Sequence, residues 1–316
     1  MKNVFTSSIP KDIICPTLMR LAEEDERIVV LSSDVSVSTN IECFKERFPK
    51  RFFELGIAEQ STMSVAGGLA TEGFIPVYVA LAIFSCGMTW PQMRQICNSN
   101  LNVKIIGTHA GVDDGQDGSG HHATEDLAIA RAIPRMSVLA PGDENEVAAA
   151  VEKMIEMDGP VYMRVARADT PIVHKSPTSF VIGKSEVIYD TGDDFAIIFE
   201  GSAFAQALKG WEQLSGHGRK GKLISIGTVK PIDSDRIKKT ASQVKVIVTV
   251  ENHSIVGGLF SSVSEVLADS VSSAITVPVG FQDVFLESGT PADIKMKYGL
   301  SGDQIFQRVE SVLSVF

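Results

Sequence analysis

The stretch RFFELGIAEQSTMSVAGGLA, residues 51–70, decides how the chain is read. Phe52 and Phe53 predict a short buried strand. Gly56 permits a tight turn, because a residue without Cβ tolerates backbone angles that others avoid. Ile57 and Ala58 then lead into a helix whose small residues are Ala66, Gly67, Gly68 and Ala70. Glu59 therefore stands at a strand-to-helix junction, in the first turn of an apolar helix and without an obvious basic neighbour. Position alone leaves two readings open. The commoner is a first-turn acid favoured by the positive end of the helix dipole. The other is a carboxyl kept in an apolar setting so that it shares a proton with a ligand.

Outward from this junction, continuous apolar runs predict strands buried on both faces at 27–34, at 75–84 running into a loop, and at 103–111. Helices are expected at 12–22, 88–97, 125–131 and 143–157, and further strands at MSVLAP and PVYMRVAR. Strands alternating with helices predict a parallel, right-handed α/β layer. The pattern breaks at HKSPTS, so 174–191 reads as a linker between a domain at 1–173 and a second one at 192–316. The second has strands at 195–201, 222–227 and 244–251 and helices at 203–214, at 233–240 and from His253. The fold class is two parallel-sheet α/β domains.

The formal net charge of −10 argues against a large nucleic-acid footprint, which needs a basic face. No run is apolar enough to span a bilayer, and residues 1–14 lack a signal-peptide core. The four cysteines, Cys15, Cys43, Cys86 and Cys97, match no zinc spacing and suggest no disulfide framework. A reducing cytoplasm, with all four as small buried hydrophobes, is the expectation.

Ligands of α/β sheets gather beyond the carboxyl ends of the strands. Asp34, Phe84, His109, the loop 113–125 and Arg167 all fall at such ends. The glycine-rich loop carries Asp117, His121 and His122 on flexible backbone. A metal site lacks a helical His pair or a Cys partner there, and a phosphate cradle lacks its lysine. Hydrogen bonding to a polyhydroxylated or anionic substrate suits the loop best. Arg164 and Arg167 lie three apart on a strand end and face opposite sides, so at most one enters a site. His253 reads as part of a structural turn at a subunit contact.

Together GIAEQ with the AGGLA helix, THAG at His109, the GxDGxxH loop ending at His121, RAIP, PGDENE and ENHSIVGGL resemble the second half of a transketolase. The likeness covers nearly the whole chain and is greatest to forms split into two polypeptides; GIAEQ is shared with deoxyxylulose-phosphate synthases. The resemblance implies a pyrimidine-binding domain followed by a transketolase C-terminal domain. It implies thiamine diphosphate chemistry that passes a two-carbon ketol unit from a ketose to an aldose. Glu59 matches the carboxyl that hydrogen-bonds N1′ of the aminopyrimidine, and Phe84 the aromatic stacked on that ring. Asp34 is taken as a further cofactor-facing residue. His109, Asp117 and His121 match substrate-contacting groups, with His121 also steadying the reacting centre. His122 stands where a glutamine is usual, and Arg167 matches the grip on a terminal phosphate.

The chain departs from the family pattern in several places. Family aromatics are replaced by Leu81 and Gly87. The basic companion of Arg167, expected after residues 36–39, is absent, so a branched sugar phosphate, a sulfonated sugar or another modified ketose is implied. No Gly-Asp-Gly segment occurs in the chain. The diphosphate and Mg²⁺ ligands are therefore expected on a companion α subunit, in an α₂β₂ assembly, with no metal held by this chain. Two rivals stand beside this reading: the β subunit of a 2-oxoacid dehydrogenase, and a catalytically silent scaffold subunit.

Overall fold

A computed structural model describes residues 5–315; the first four residues of the segment read for a signal peptide lie outside it. The strands of the first half are β1 (Ser7–Ser8), β2 (Ile28–Ser32), β3 (Phe52–Glu54), β4 (Ile75–Leu81), β5 (Lys104–Thr108), β6 (Ser137–Leu139), β7 (Val161–Arg164) and β8 (Thr170–Pro171). Those of the second half are β9 (Glu186–Asp190), β10 (Phe195–Glu200), β11 (Gly221–Ile226), β12 (Thr228–Lys230), β13 (Val246–Ser254) and β14 (Ile275–Phe281).

Every residue of β2, β4, β5 and β7 is buried, as unbroken apolar runs require when helices cover both faces of a sheet. A seven-stranded sheet runs in the order β12-β6-β7-β5-β4-β2-β3, and a five-stranded one in the order β14-β13-β10-β11-β9. Within the first, β2, β3, β4, β5, β6 and β7 are parallel. Leu81 pairs with Thr108 and Gly107 with Arg164, so the chain leaves β4, β5 and β7 at one edge. That edge collects the residues singled out above.

The two halves are less separate than the sequence suggests. β12 belongs to the second half by position yet pairs antiparallel with β6 of the first sheet. Its Val229 lies in a core that joins Met63, Tyr78 and Tyr162 to Ile198, Ile224 and Ile247. Burying each such side chain contributes about 1.5–3 kcal/mol, so the two domains stabilise each other through a shared interior. The stretch expected as a linker is structured as well. β9 lies inside it and forms the antiparallel edge of the second sheet.

The linker's first residue, His174, is buried and bonded to the Asp143 carboxylate through both its N–H and Nδ1, each at 2.9 Å. Asp143 also caps its helix by accepting from the amides of Asn145 and Glu146. Burial alone would lower the His174 pKa, but the bond to Asp143, the Glu186 carboxylate 3.4 Å from Nε2 and the nearby Glu146 charge raise it to about 10. An imidazolium favoured in the folded state adds stability that is complete below the unfolded value near 6.5 and is lost as pH rises through 10. His174→Gln is expected to cost about 3 kcal/mol at pH 6, the usual scale for breaking a buried pair. Urea unfolding across pH 6 to 10 should show the deficit shrinking as pH rises.

Two further expectations change. Cys15 and Cys43 are not free thiols: they are paired as a disulfide, with Cα atoms 6.5 Å apart, whereas Cys86 and Cys97 remain free and buried. The helices carrying the pair pack together, which brings cysteines 28 residues apart into contact. His253 is not at a turn or a subunit contact. It is fully buried within β13, where burial and the Arg164 charge push its pKa down to about 3. Among the described residues, no helix is long and apolar enough to cross a membrane.

Candidate active site

The strand-to-helix junction forms as its residues dictate. β3 ends at Glu54, Gly56 takes φ +72°, and Glu59 opens the helix Glu59–Thr71. Glu59 is only 8 % exposed. Among the described residues, its carboxylate takes no hydrogen bond or ion pair. Behind it lies a buried hydroxyl cluster, in which Ser33 Oγ sits 2.9 Å from both Thr62 Oγ1 and Tyr78 Oη.

The neighbouring strand ends build a cleft of about 470 Å³. Phe84 reaches it from a π-helical turn, Ile83–Met88, rather than from the loop expected there. Such turns widen a helix by one residue and recur at functional sites. The Phe84 ring meets the His121 ring edge-on, with centroids 5.2 Å apart. His109 follows β5 with φ +61°, a left-handed conformation uncommon for a residue with a side chain. Thr108 Oγ1 holds its Nδ1 at 2.8 Å. Burial, with the charges of Arg167 and Lys11 added, pushes the His109 pKa down to about 4, so the ring is uncharged at neutral pH.

Arg167 is half-exposed on the cleft wall, and its Nη1 lies 3.4 Å from Asp114 Oδ1. Burial drives the Asp114 pKa up to about 6, against the pull of Arg167 and with a push from Asp117. Arg164 turns the other way, as the strand alternation requires. It is fully buried, with Nε 3.3 Å from Asp126 Oδ2 and Nη2 donating to the Asn252 carbonyl at 3.2 Å.

Phe84, His109, Asp117, His121 and Arg167 thus line one cleft. Three expected residues, His122, Asp34 and Glu59, do not. His122 faces inward: it is buried, and its Nε2 lies 3.2 Å from the Gly115 carbonyl. Burial lowers its pKa, and its ring is held inside the loop. Asp34 has φ +60°, which turns the chain outward after β2. Its side chain is exposed, and its N–H donates to Glu54 Oε1 at 2.6 Å. Glu59 shares the strand-end edge but is not part of the cleft wall. The loop is solvated only in part: residues 113–115, Gly118 and His122 are buried, whereas Gln116, Asp117, Ser119 and Gly120 are exposed.

The structure also supplies a residue that local reading missed. Lys11, from the short helix Pro10–Ile13, lines the same cleft as Arg167, beside Ser38 and Asn40. Its Nζ rests 3.2 Å from Asp12 Oδ1, which also accepts from Asn40 Nδ2. A cation thus stands in the cleft from an element about 25 residues upstream of residues 36–39. Nothing in the sequence next to Lys11 marks it; only the packing of that helix over the strand ends does.

Residues 12–172 match the transketolase pyrimidine binding domain, and residues 183–305 the transketolase C-terminal domain. This chain belongs to the transketolase family. It is 40% identical to a putative transketolase C-terminal section of Methanocaldococcus jannaschii, over 93% of this chain and 92% of that one. It is 31% identical to the 6-deoxy-6-sulfo-D-fructose transketolase subunit SqwH of a Clostridium species, over 96% of this chain and 94% of that one. A solved structure described as a split gene transketolase, inactive beta4 tetramer, superposes with a TM-score of 0.89 at 38% identity, covering 97% of this chain and 98% of that one. Within this transketolase-family chain, the cleft belongs to the pyrimidine-binding domain and Lys11 sits just before the matched segment begins.

Proposed function

We propose that the chain is the pyrimidine-binding subunit of a two-polypeptide, thiamine-diphosphate-dependent transketolase acting on ketoses with a terminal anion. The observation that carries this reading is the Glu59 carboxylate, without a partner among the described residues and at the same sheet edge as the Phe84–His121 pair and the cleft. A shielded acid and an aromatic face fit the aminopyrimidine end of thiamine diphosphate, for which Glu59 and Phe84 are the holding residues. When bound, that cofactor supplies the carbon nucleophile and electron sink for breaking a ketose C2–C3 bond. Glu59 would share a proton with a nitrogen of that ring, and its burial would keep water from competing for the proton.

His109, uncharged, together with Asp117 and His121 provides hydrogen-bond partners for sugar hydroxyls. Arg167 and Lys11 form the cationic end, suited to a tetrahedral oxyanion. Phosphate and sulfonate share that chemistry. The likeness to SqwH, a 6-deoxy-6-sulfo-D-fructose transketolase subunit, supports including sulfonated sugars. Mg²⁺ and diphosphate ligands are assigned to a companion subunit, most simply in an α₂β₂ assembly.

The test is reconstitution. With thiamine diphosphate and Mg²⁺, the purified chain is expected to transfer no ketol unit until a companion carrying the diphosphate half is added. Fructose 6-phosphate and 6-deoxy-6-sulfofructose, offered as separate donors, decide between the two anions. Ketol transfer by the chain alone would overturn the two-chain reading. Decarboxylation of 2-oxoacids without ketol transfer would overturn the reaction class.

A further inference from the structure

Asp113 adjoins the cleft but is buried. Its Oδ2 accepts the backbone N–H groups of Arg167 and Ala168, each at 3.0 Å. Its Oδ1 accepts from Lys295 Nζ at 2.9 Å and from Asn252 Nδ2 at 3.2 Å. One carboxylate therefore joins the Arg167 backbone to two residues of the C-terminal domain. Lys295, on the helix Pro291–Lys297, is itself buried. Burial would raise the Asp113 pKa, but Lys295 and the two amides outweigh it and hold the group ionised.

A second set of contacts points the same way. Asn252 also bonds the Ala110 carbonyl at 3.0 Å and the Val112 N–H at 3.2 Å. Val112 lies in the core of the C-terminal domain with Phe199, Phe281 and Ile294. Gly111, Gly115 and Gly118 all have positive φ. A Cβ would stand 2.2 Å from Asn252 at Gly111, 2.8 Å from Pro291 at Gly115 and 2.6 Å from Ser288 at Gly118. The loop bearing Asp117 is thus docked backbone-first onto the C-terminal domain, closer than any side chain would permit.

We propose that Lys295, with Asn252, is a positioning residue for the anion-gripping side of the cleft. The C-terminal domain fixes Asp113, and Asp113 fixes the backbone of Arg167 and the loop of Asp117. This rests on the function proposed above for Arg167. A buried charge pair is costly to break because the remaining charge is left uncompensated. Without the Lys295 ammonium the loop is freed to move, and a displaced guanidinium grips its anion poorly.

Lys295→Met, studied in the reconstituted complex, is expected to raise KM for the anionic donor about tenfold, while kcat and thiamine diphosphate affinity change less than about twofold. Hydrogen exchange of the Arg167 and Ala168 amides should quicken about tenfold, while the amides of β4 hold their wild-type rates. Adding Asp113→Asn to Lys295→Met removes the unpaired charge and should recover part of the exchange protection. Should Lys295→Met not fold, Asn252→Ser is measured in the same two ways. Wild-type KM together with wild-type exchange overturns the proposal, as does a loss confined to global stability. If the complex transfers no ketol unit at all, the proposed function fails, while the exchange data on the chain still decide the positioning role.

Discussion

Replacing Glu59 by Gln is expected to lower the ketol-transfer rate of the reconstituted complex by about 10³-fold, within the usual range for losing a positioned proton-transfer group. The substitution keeps size and polarity and removes only the ability to exchange a proton. Folding, read by circular dichroism, and assembly with the companion, read by sedimentation, should be unchanged. The competing account of Glu59 is a favourable contact with the helix dipole. That contact is worth about 0.3–1 kcal/mol of stability and has no bearing on rate. The two accounts differ by orders of magnitude in one measurement. A variant with full activity and a slightly lower Tm would establish the dipole role. It would equally favour the scaffold reading, in which no residue of this chain takes part in turnover. Without a partner among the described residues, the carboxylate favours proton sharing: a structural first-turn acid commonly accepts from nearby amides, and this one accepts from none of theirs.

Removing the cationic end should give the next largest effect, and one of a different kind. Lys11→Ala and Arg167→Ala are each expected to raise KM for a phosphorylated or sulfonated donor about 10- to 100-fold, as expected for the loss of a charge-assisted hydrogen bond worth about 1.5–3 kcal/mol. kcat should fall much less, because grip on a remote group is felt alike in the ground and transition states. A neutral ketose of the same length should be nearly indifferent to both changes. Arg167 is expected to matter more than Lys11, since its planar fork can engage two oxygens at once. Steady-state kinetics with paired anionic and neutral donors checks this. Equal losses for both donors would show that these cations shape the cleft without reading the anion. The Lys11 arm carries the most information: it asks whether the basic companion of Arg167 is absent, as residues 39–42 suggest, or supplied from Pro10–Ile13.

Much of the architecture was legible before any coordinates. Unbroken apolar runs such as IVVLS and the Ile75–Leu81 strand can be buried only between two helical layers. Parallel strands then force Phe84, His109 and Arg167 to a common edge, whatever the details of packing. Glycine at 56 and an acid at 59 placed a carboxylate at a helix start, because backbone sterics act within a few residues. That at most one of Arg164 and Arg167 enters a site followed from the two-residue period of a strand; that Arg164 is the buried one did not.

Contacts between distant segments were beyond such reading. β12 crossing to the first sheet, Cys15 meeting Cys43, Lys11 reaching the cleft and Lys295 closing on Asp113 each join elements whose separation along the chain carries no local signature. His122 shows the same limit at short range. It differs from His121 by one position, and only the closure of the loop onto Gly115 sends one ring to the cleft and the other to the interior. Periodicity along a chain encodes which face of an element is dry; which charges then meet depends on how completed elements pack, and that is settled only in three dimensions.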